Sequence, residues 1–346
     1  MPELKIIVLD NMKDMGTKIN KHLQKANKTK KNYLINIETV RFNNGEGKAI
    51  IKEDCKDKDI FILSDVGNYG ISYEMHGMKV PMSPDEHFQD IKRIISALSG
   101  AAKKITVIMP FLYQSRQDKR GNRESLDCAL ALQELEALHV GRIVTFDAHE
   151  PKVSNAIPNT PFENFFPTEF ILDNIVEDEH PKNVLVISPD IGAMGRARYY
   201  SEMLHCDVGL FYKRRDLSRT VKGKNPIVEH VYLGTDVVDK TCLVVDDMIA
   251  SGGSMIEVGE RLKEGGAGKI YFVATFGLFT EGIDVFEEAF QKGLFEKLYI
   301  TDLTYMPEEF KKKKWLKVVD SSKRISEIID TLHDGREAGV FSMDTV

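Results

Sequence analysis

The arrangement of short apolar segments constrains the possible fold of this chain more than any other feature of its sequence. Runs rich in Val and Ile alternate with longer amphipathic stretches, and many of the runs are apolar at consecutive positions. Continuous apolar runs indicate strands that are covered on both faces, and strands that alternate with helices indicate parallel sheets with crossover helices. The predicted strands lie at residues 5–9, 60–63, 104–109, 142–146, 184–187, 208–211, 241–245, 269–275 and 297–301.

The length of the chain suggests two domains. Its 346 residues correspond to two units of roughly 100–200 residues each. We predict an α/β fold with two doubly wound parallel-sheet domains, at residues 1–160 and 161–319, and a helix at 320–334 that packs on the first. Residues 66–86 contain Gly and Pro breakers and little periodicity, which predicts a long loop. Helical patterns occupy residues 87–98, 126–138, 193–204 and 254–264.

Charge, hydropathy and cysteine content argue against several classes of protein. The formal net charge of −6 argues against a nucleic-acid-binding protein, which would usually have a basic surface. No run of 18 or more apolar residues occurs, so no membrane span is expected, and the opening MPELKIIVLD lacks the pattern of a signal peptide. The four cysteines are far apart and form no C-x-x-C pair, which is typical of reduced thiols in a cytoplasmic protein.

The most specific local motif follows the predicted strand at residues 241–245. Two acidic residues come first, then a Ser-Gly-Gly-Ser turn, and then a helical pattern. Ligands bind at the carboxyl ends of strands in open α/β sheets, and glycine lets the backbone approach a ligand. Backbone N–H groups at a helix N-terminus can hold a phosphate, and carboxylates can accept hydrogen bonds from ribose hydroxyls. The predicted ligand-binding residues are Asp246, Asp247, Ala250, Ser251, Gly252, Gly253 and Ser254.

This motif resembles the signature that binds 5-phosphoribosyl 1-diphosphate (PRPP) in the phosphoribosyltransferase fold. The signature occurs in enzymes that transfer phosphoribose from PRPP to a base and in enzymes that make PRPP, so it leaves both classes open. A glycine pair alone would fit an ordinary strand–turn–helix junction with a capping serine. The G-x-x-x-x-G-K and G-x-G-x-x-G loops of other nucleotide-binding folds are absent.

Further segments resemble the ribose-phosphate diphosphokinases, or PRPP synthetases, in the order in which that family carries them. The resemblance extends from about residue 4 to about residue 330, so it covers both predicted domains. It implies an ATP site that includes Arg116 and Gln117. It also implies that Phe42, Asn44 and Glu46 lie on a loop that reaches the adenine of ATP, in the family from a neighbouring subunit.

The same resemblance implies the metal and the catalytic residues. His149 lies in an Asp-x-His motif and Asp190 in a Ser-Pro-Asp-x-Gly motif, and both would hold the implied cofactor, Mg²⁺. A carboxylate suits a hard cation that also binds phosphate oxygens. Lys213 and Arg215 match the Lys-x-Arg at the base of the flexible catalytic loop of the family. Taken singly, a histidine is more often structural and a basic triplet is more often a solvated surface.

Several positions depart from the family pattern and indicate a divergent member. Asn44 stands where the family usually has Asp, and Gly195 stands where it has Lys. Ala250 replaces an Asp of the synthetase loop, and some base phosphoribosyltransferases have Ala there. The stretch at 66–86 is longer than usual for the family.

The reaction implied by the resemblance is the formation of PRPP and AMP from ATP and ribose 5-phosphate, for nucleotide biosynthesis. The family also implies a homo-oligomer that is built from dimers, up to a hexamer. Two alternatives stay open at this point: a phosphoribosyltransferase that consumes PRPP, and a weakly active homologue that regulates a synthetase.

Overall fold

The computed structural model describes residues 2–215 and 227–336, which divide into two compact units. Unit 1 contains residues 2–166, 302–306 and 320–336, and unit 2 contains the described residues of 167–301 and 307–319. In chain order the elements are β1 (Leu4–Val8), α1 (Lys13–Ala26), β2 (Ile37–Arg41), β3 (Gly47–Ile51), β4 (Asp59–Leu63), β5 (Ser72–Met75), β6 (Met78–Pro81), α2 (Pro84–Leu98), β7 (Lys104–Ile108), α3 (Asp127–Ala137), β8 (Arg142–Phe146), β9 (Phe162–Phe165), α4 (Thr168–Glu179), β10 (Val184–Ser188), α5 (Met194–Leu204), β11 (Asp207–Arg215), β12 (Ile227–Leu233), β13 (Thr241–Ile249), α6 (Gly253–Glu264), β14 (Lys269–Gly277), α7 (Asp284–Gln291), β15 (Lys297–Thr301), β16 (Leu316–Val319) and α8 (Ser322–His333).

The main sheet of unit 1 is parallel and doubly wound. Its strand order is β1-β4-β7-β8-β9. The segment around Leu34 runs beside β1, on the side away from β4. The Ile6 N–H donates to Tyr33 O and the Ile35 N–H donates to Ile6 O, both at 2.8 Å. The chain therefore leaves β1 toward one edge and returns to β4 on the other side, which makes a topological switch point between β1 and β4.

The sheet of unit 2 repeats this connectivity. Its order is β12-β11-β10-β13-β14-β15-β16, and every neighbouring pair is parallel except β11 and β12. The chain passes from β10 to β11 on one side and then to β13 on the other, so the switch point lies between β10 and β13. The predicted fold class, α/β with two doubly wound parallel sheets, is confirmed.

Burial follows the apolar periodicity that predicted the elements. All five residues of β4 are buried, as expected for a strand that is covered on both faces. The buried face of α2 includes Phe88, Ile91, Ile94, Ile95 and Leu98, a spacing that matches one helix face. Each fully buried aliphatic or aromatic side chain of this kind stabilises the fold by roughly 1.5–3 kcal/mol.

The prediction of a long loop at residues 66–86 is wrong. This stretch contains the antiparallel hairpin β5–β6, in which Tyr73 pairs with Val80 and Met75 pairs with Met78. It also contains the N-terminus of α2, where Ser83 and Glu86 form a capping box. The strands escape prediction because each has four residues and lies half-exposed or exposed, so neither carries an apolar run.

Candidate active site

The turn between β13 and α6 is shaped by Gly252. This residue has φ +85°, a left-handed conformation that favours glycine, and a Cβ on it would lie 2.3 Å from Cε2 of Phe286. Gly253 is unconstrained by comparison, since a Cβ there would meet only Ser251 Oγ, at 3.9 Å. The turn therefore requires glycine at position 252, whereas position 253 has room for a larger residue.

The same turn presents unused hydrogen-bond donors. Within residues 2–215 and 227–336, no protein group accepts a hydrogen bond from the backbone N–H of Ser251, Gly252 or Gly253. The Met255 N–H, in the first turn of α6, donates to Gly252 O at 3.0 Å. Free amides at the N-terminus of a helix form an anion-binding site of phosphate type. The residue before the turn is also held in place, because the Thr280 N–H donates to Ala250 O at 3.0 Å.

Two carboxylates lie beside this anion site. The Asp246 side chain is 28% exposed, whereas Asp247 is buried, and the Asp247 N–H donates to Asp246 Oδ1 at 2.9 Å. Burial, followed by repulsion from Asp247, raises the pKa of Asp246 above its usual range, and the guanidinium of Arg196 opposes this shift. Nη1 of the buried Arg196 lies 3.9 Å from Asp246 Oδ1. Asp246, the more exposed of the two, is therefore the carboxyl group of this pair that a sugar hydroxyl can reach.

Asp190 lies at the same edge of the unit 2 sheet. Ile187 of β10 pairs with Val244 of β13, so the residues that follow both strands emerge at the switch point. Asp190 is exposed, and its Oδ1 accepts the Ala193 N–H at 3.0 Å ahead of α5. Asp190 and the phosphate turn therefore follow neighbouring strands at one edge of the sheet, and Asp246 and Asp247 lie near the end of β13 itself, which extends four residues beyond the predicted strand.

The backbone of Lys213 and Arg215 extends past the end of β10. Leu210 of β11 pairs with Ser188, the last residue of β10, so Lys213 lies three residues beyond that pair, or about 10 Å along the strand. The side chains of Lys213 and Arg215, and the predicted catalytic loop at 216–225, lie outside the described part of the structure. The strand therefore carries the backbone of both predicted catalytic residues toward the ligand-binding edge.

In unit 1, His149 follows a strained turn at the end of β8. Asp147 is buried and has φ +43°, a conformation that non-glycine residues adopt mainly where the surrounding structure enforces it. The Asp147 N–H donates to Phe165 O at 2.8 Å, and the Ala148 N–H donates to Asn164 Oδ1 at 2.9 Å. These bonds to β9 and its asparagine hold the turn while His149 itself is exposed. No sequence pattern indicated the role of Asn164, because its hydrogen-bond partner depends on the pairing of β8 with β9.

Arg116 and Gln117 follow the neighbouring strand, β7, and so emerge at the same edge as His149. Arg116 is exposed and offers a planar cation. The Gln117 amide donates to Ser125 O at 2.9 Å, which anchors the loop between β7 and α3. In the described chain its Oε1 accepts no hydrogen bond.

The second predicted ATP-site segment, residues 42–46, is the turn between β2 and β3, outside the five-stranded sheet. Phe42 is 45% exposed, and Asn44 and Glu46 are exposed. Asn44 Oδ1 accepts the Glu46 N–H at 3.1 Å, and Asn44 Nδ2 donates to Glu46 Oε2 at 3.0 Å. An Asp at 44 could not make the second bond, so the departure from the family pattern matches a local contact.

A phosphate-type anion site beside paired carboxylates, at the switch point of a doubly wound sheet, defines unit 2 as a domain of the phosphoribosyltransferase type. Residues 168–282 match the model of the phosphoribosyl transferase domain, and residues 4–138 match that of the N-terminal domain of ribose phosphate pyrophosphokinase. The chain belongs to the ribose-phosphate pyrophosphokinase family, which is also called the PRPP synthetase family. The predicted family membership is confirmed.

Curated relatives match over most of their own length. The ribose-phosphate pyrophosphokinase of Haemophilus ducreyi is 25% identical over 333 residues, which cover 95% of each chain. Ribose-phosphate pyrophosphokinase A of Dictyostelium discoideum is 27% identical, with 88% of this chain and 89% of the relative covered. The crystal structure of phosphoribosylpyrophosphate synthetase from Mycobacterium smegmatis has the same fold, with a TM-score of 0.80, 22% identity, and 96% and 99% of the two chains covered.

None of the helices in the described ranges is long and apolar enough to span a bilayer.

Proposed function

We propose that this chain transfers the diphosphoryl group of Mg-ATP to the 1-hydroxyl of ribose 5-phosphate, which gives PRPP and AMP for nucleotide biosynthesis. The observation that carries the proposal is the set of free amides at Ser251, Gly252 and Gly253 next to the Asp246–Asp247 pair. This arrangement fits a sugar phosphate. The match of residues 4–138 to the N-terminal domain of ribose phosphate pyrophosphokinase favours a synthetase over a transferase that consumes PRPP.

The 5-phosphate of the sugar would be held by the β13–α6 turn. The three free amides and the positive end of α6 attract its charge, and the hydroxyls of Ser251 and Ser254 can add hydrogen bonds. Asp246 and Asp247 would accept hydrogen bonds from the ribose hydroxyls. Because these contacts leave the anomeric end of the sugar unbound, the 1-hydroxyl is available as the nucleophile.

The donor set near β10 fits Mg²⁺ that is held largely by its nucleotide. No group of three or more His, Cys, Asp or Glu that could hold a metal occurs in the described ranges. Mg²⁺ commonly keeps several waters and takes one or two carboxylates together with substrate phosphates. The exposed carboxylate of Asp190 would be such a ligand, and we assign the exposed His149 to the same metal. When bound, the metal neutralises charge on the phosphate oxygens.

The transfer itself requires positioning and charge neutralisation more than covalent help. The ribose 1-oxygen forms a bond to the β-phosphorus and gives up its proton. The bond between the β-phosphorus and the oxygen that bridges it to the α-phosphorus breaks, and its electron pair leaves on AMP. Lys213 and Arg215 would neutralise charge on the transferring and leaving groups, which lowers the barrier because the charge changes there during reaction.

ATP would be bound by residues of unit 1. We assign the cation of Arg116 and the side-chain carbonyl oxygen of Gln117 to the nucleotide, and the exposed Phe42, Asn44 and Glu46 to the adenine. We also propose a homo-oligomer built from dimers, since the exposed ring of Phe42 at a hairpin turn suits a contact beyond its own chain. The free thiols of all four cysteines support action in a reducing compartment such as the cytoplasm.

The direct test is AMP formation from ATP, with and without ribose 5-phosphate. The proposal predicts AMP that appears only when the sugar phosphate is present, in equal amount to PRPP. Release of pyrophosphate from PRPP plus a purine or pyrimidine base, without AMP formation, would instead identify a transferase that consumes PRPP. Tight binding of ATP without turnover would indicate a regulatory homologue.

A further inference from the structure

The β5–β6 hairpin lies against the turn at residues 42–46. The His76 N–H donates to Asn43 O at 3.0 Å. Met75 packs on Gly45 so closely that a Cβ at Gly45 would lie 2.9 Å from Met75 Sδ. The hairpin lies within residues 66–86, and it forms its own two-stranded sheet apart from the five-stranded one.

The hairpin is itself anchored to α2. The hydroxyl of Tyr73 donates to Glu86, whose second carboxylate oxygen accepts the Ser83 N–H at 2.8 Å in the capping box. An isolated two-stranded hairpin is marginally stable in water, so these anchors determine whether β5–β6 keeps its position. The hairpin thus connects the first turn of α2 to the turn at 42–46.

A buried ion pair fixes the base of the same turn. Arg41 makes two hydrogen bonds to Asp90 of α2, at 2.8 and 2.6 Å, and Arg93 makes a third at 2.8 Å. The side chains of Arg41 and Asp90 are 9% and 6% exposed. The Tyr73 ring lies 5.8 Å from the Arg41 guanidinium carbon, so the hairpin also packs on this pair. The turn is therefore fixed at its base by α2 and along its length by the hairpin.

These contacts restrain the backbone of the turn and leave its functional side chains exposed. Residues 43 and 45 contact the hairpin, whereas Phe42, Asn44 and Glu46 remain accessible. A binding loop that is already ordered loses less conformational freedom when its ligand binds, which increases affinity. We propose that the β5–β6 hairpin positions the turn at 42–46 for ATP, with Tyr73 and Met75 as the positioning residues. This inference rests on the assignment of that turn to the nucleotide.

The test compares substitutions on the two faces of the hairpin. Side chains alternate along a strand, so Tyr73 and Met75 share the face toward the turn, and Glu74 and its partner Lys79 point the other way. The double variant Tyr73→Ala/Met75→Ala should raise KM for ATP by roughly tenfold. KM for ribose 5-phosphate and kcat should stay within about twofold of wild type, because the sugar site lies in unit 2. Glu74→Ala/Lys79→Ala is the matched control, and it should leave all three constants unchanged.

A second readout separates this inference from the proposed reaction. Isothermal titration calorimetry of ATP needs no turnover, and Tyr73→Phe, which removes only the hydroxyl that binds Glu86, should weaken ATP binding by about two- to threefold even if the double variant does not fold. Unchanged ATP affinity in Tyr73→Phe and in any folded double variant would overturn the inference, as would equal increases in both KM values. A wild-type protein that binds ATP but forms no AMP would contradict the proposed reaction and leave the calorimetric comparison decisive for the hairpin.

Discussion

Substitution of Gly252 by alanine tests the physical account of the phosphate turn. The left-handed backbone at φ +85° costs an L-residue roughly 1–2 kcal/mol. The new methyl group would also lie 2.3 and 2.5 Å from two ring carbons of the buried Phe286, which must move, and such overpacking costs typically about 1–3 kcal/mol. Alanine also reduces the conformational entropy of the unfolded chain, which offsets about 0.4–1 kcal/mol of this loss of stability. The expected net loss in the free energy of unfolding is about 1–4.5 kcal/mol, or a decrease in Tm of roughly 2–18 °C.

The chain carries its own probe for this measurement. Trp315 is its single tryptophan, it is buried in unit 2, and its ring stacks on Phe286 with centroids 5.8 Å apart. Urea denaturation followed by tryptophan fluorescence therefore reports on the ring that the new methyl group displaces. Gly253→Ala is the matched control, since its Cβ meets only Ser251 Oγ at 3.9 Å, and its stability should stay within about 0.5 kcal/mol of wild type. Equal losses of stability in the two variants, or no loss in Gly252→Ala, would show that neither the backbone conformation of Gly252 nor its contact with Phe286 requires glycine there.

Three further predictions concern catalysis, pH and the adenine loop. Lys213→Ala and Arg215→Ala should each lower kcat at least tenfold and change KM for ribose 5-phosphate less than about threefold, because contacts that strengthen only in the transition state act on kcat. If steady-state kinetics show a change in kcat below about threefold, both are ordinary surface residues. Burial raises the pKa of Asp65 to about 7, so the native state retains a proton that the unfolded chain releases near pH 4. The free energy of unfolding should therefore fall by up to about 4 kcal/mol from pH 4 to pH 7, and urea denaturation of Asp65→Asn should lack that part of the slope. Asn44→Asp replaces a donor to Glu46 by a like charge and should raise KM for ATP by roughly two- to fivefold at low salt, with the increase reduced at high salt; an unchanged KM would show that this contact does not shape the loop.

The sequence predicted the elements that are buried on both faces and missed those that are half-exposed. The run at 241–245 identifies β13 because four of its residues are completely or almost completely buried, and such runs leave an unambiguous pattern. The four-residue strands β5 and β6 lack that pattern, since their position depends on Glu86 and on the turn at 42–46 rather than on an apolar face. Helix α1 did carry a usable signal: Met15, Ile19 and Leu23 repeat at four-residue spacing within a lysine-rich stretch.

The same distinction applies to the candidate site. The placement of Asp190 and Asp246 at one edge could be predicted, because the carboxyl ends of neighbouring parallel strands meet there. The contact of Phe286 with Gly252 could not be predicted, since residues 34 positions apart meet only when α6 and α7 pack together. The anchoring of Gln117 to Ser125 and the support of Ala148 by Asn164 likewise depend on loop geometry that no periodicity encodes.

In the proposed reaction, the β- and γ-phosphates of ATP move together to the 1-oxygen of ribose 5-phosphate. Phosphorus-31 NMR of a reaction with ATP that carries ¹⁸O in the bridge between the α- and β-phosphates follows the bond that breaks. The ¹⁸O label should stay with AMP, and the two doublets of a diphosphate should appear on the sugar in equal amount. Formation of ADP with a single phosphate on the sugar, or of PRPP that does not depend on ATP, would contradict it.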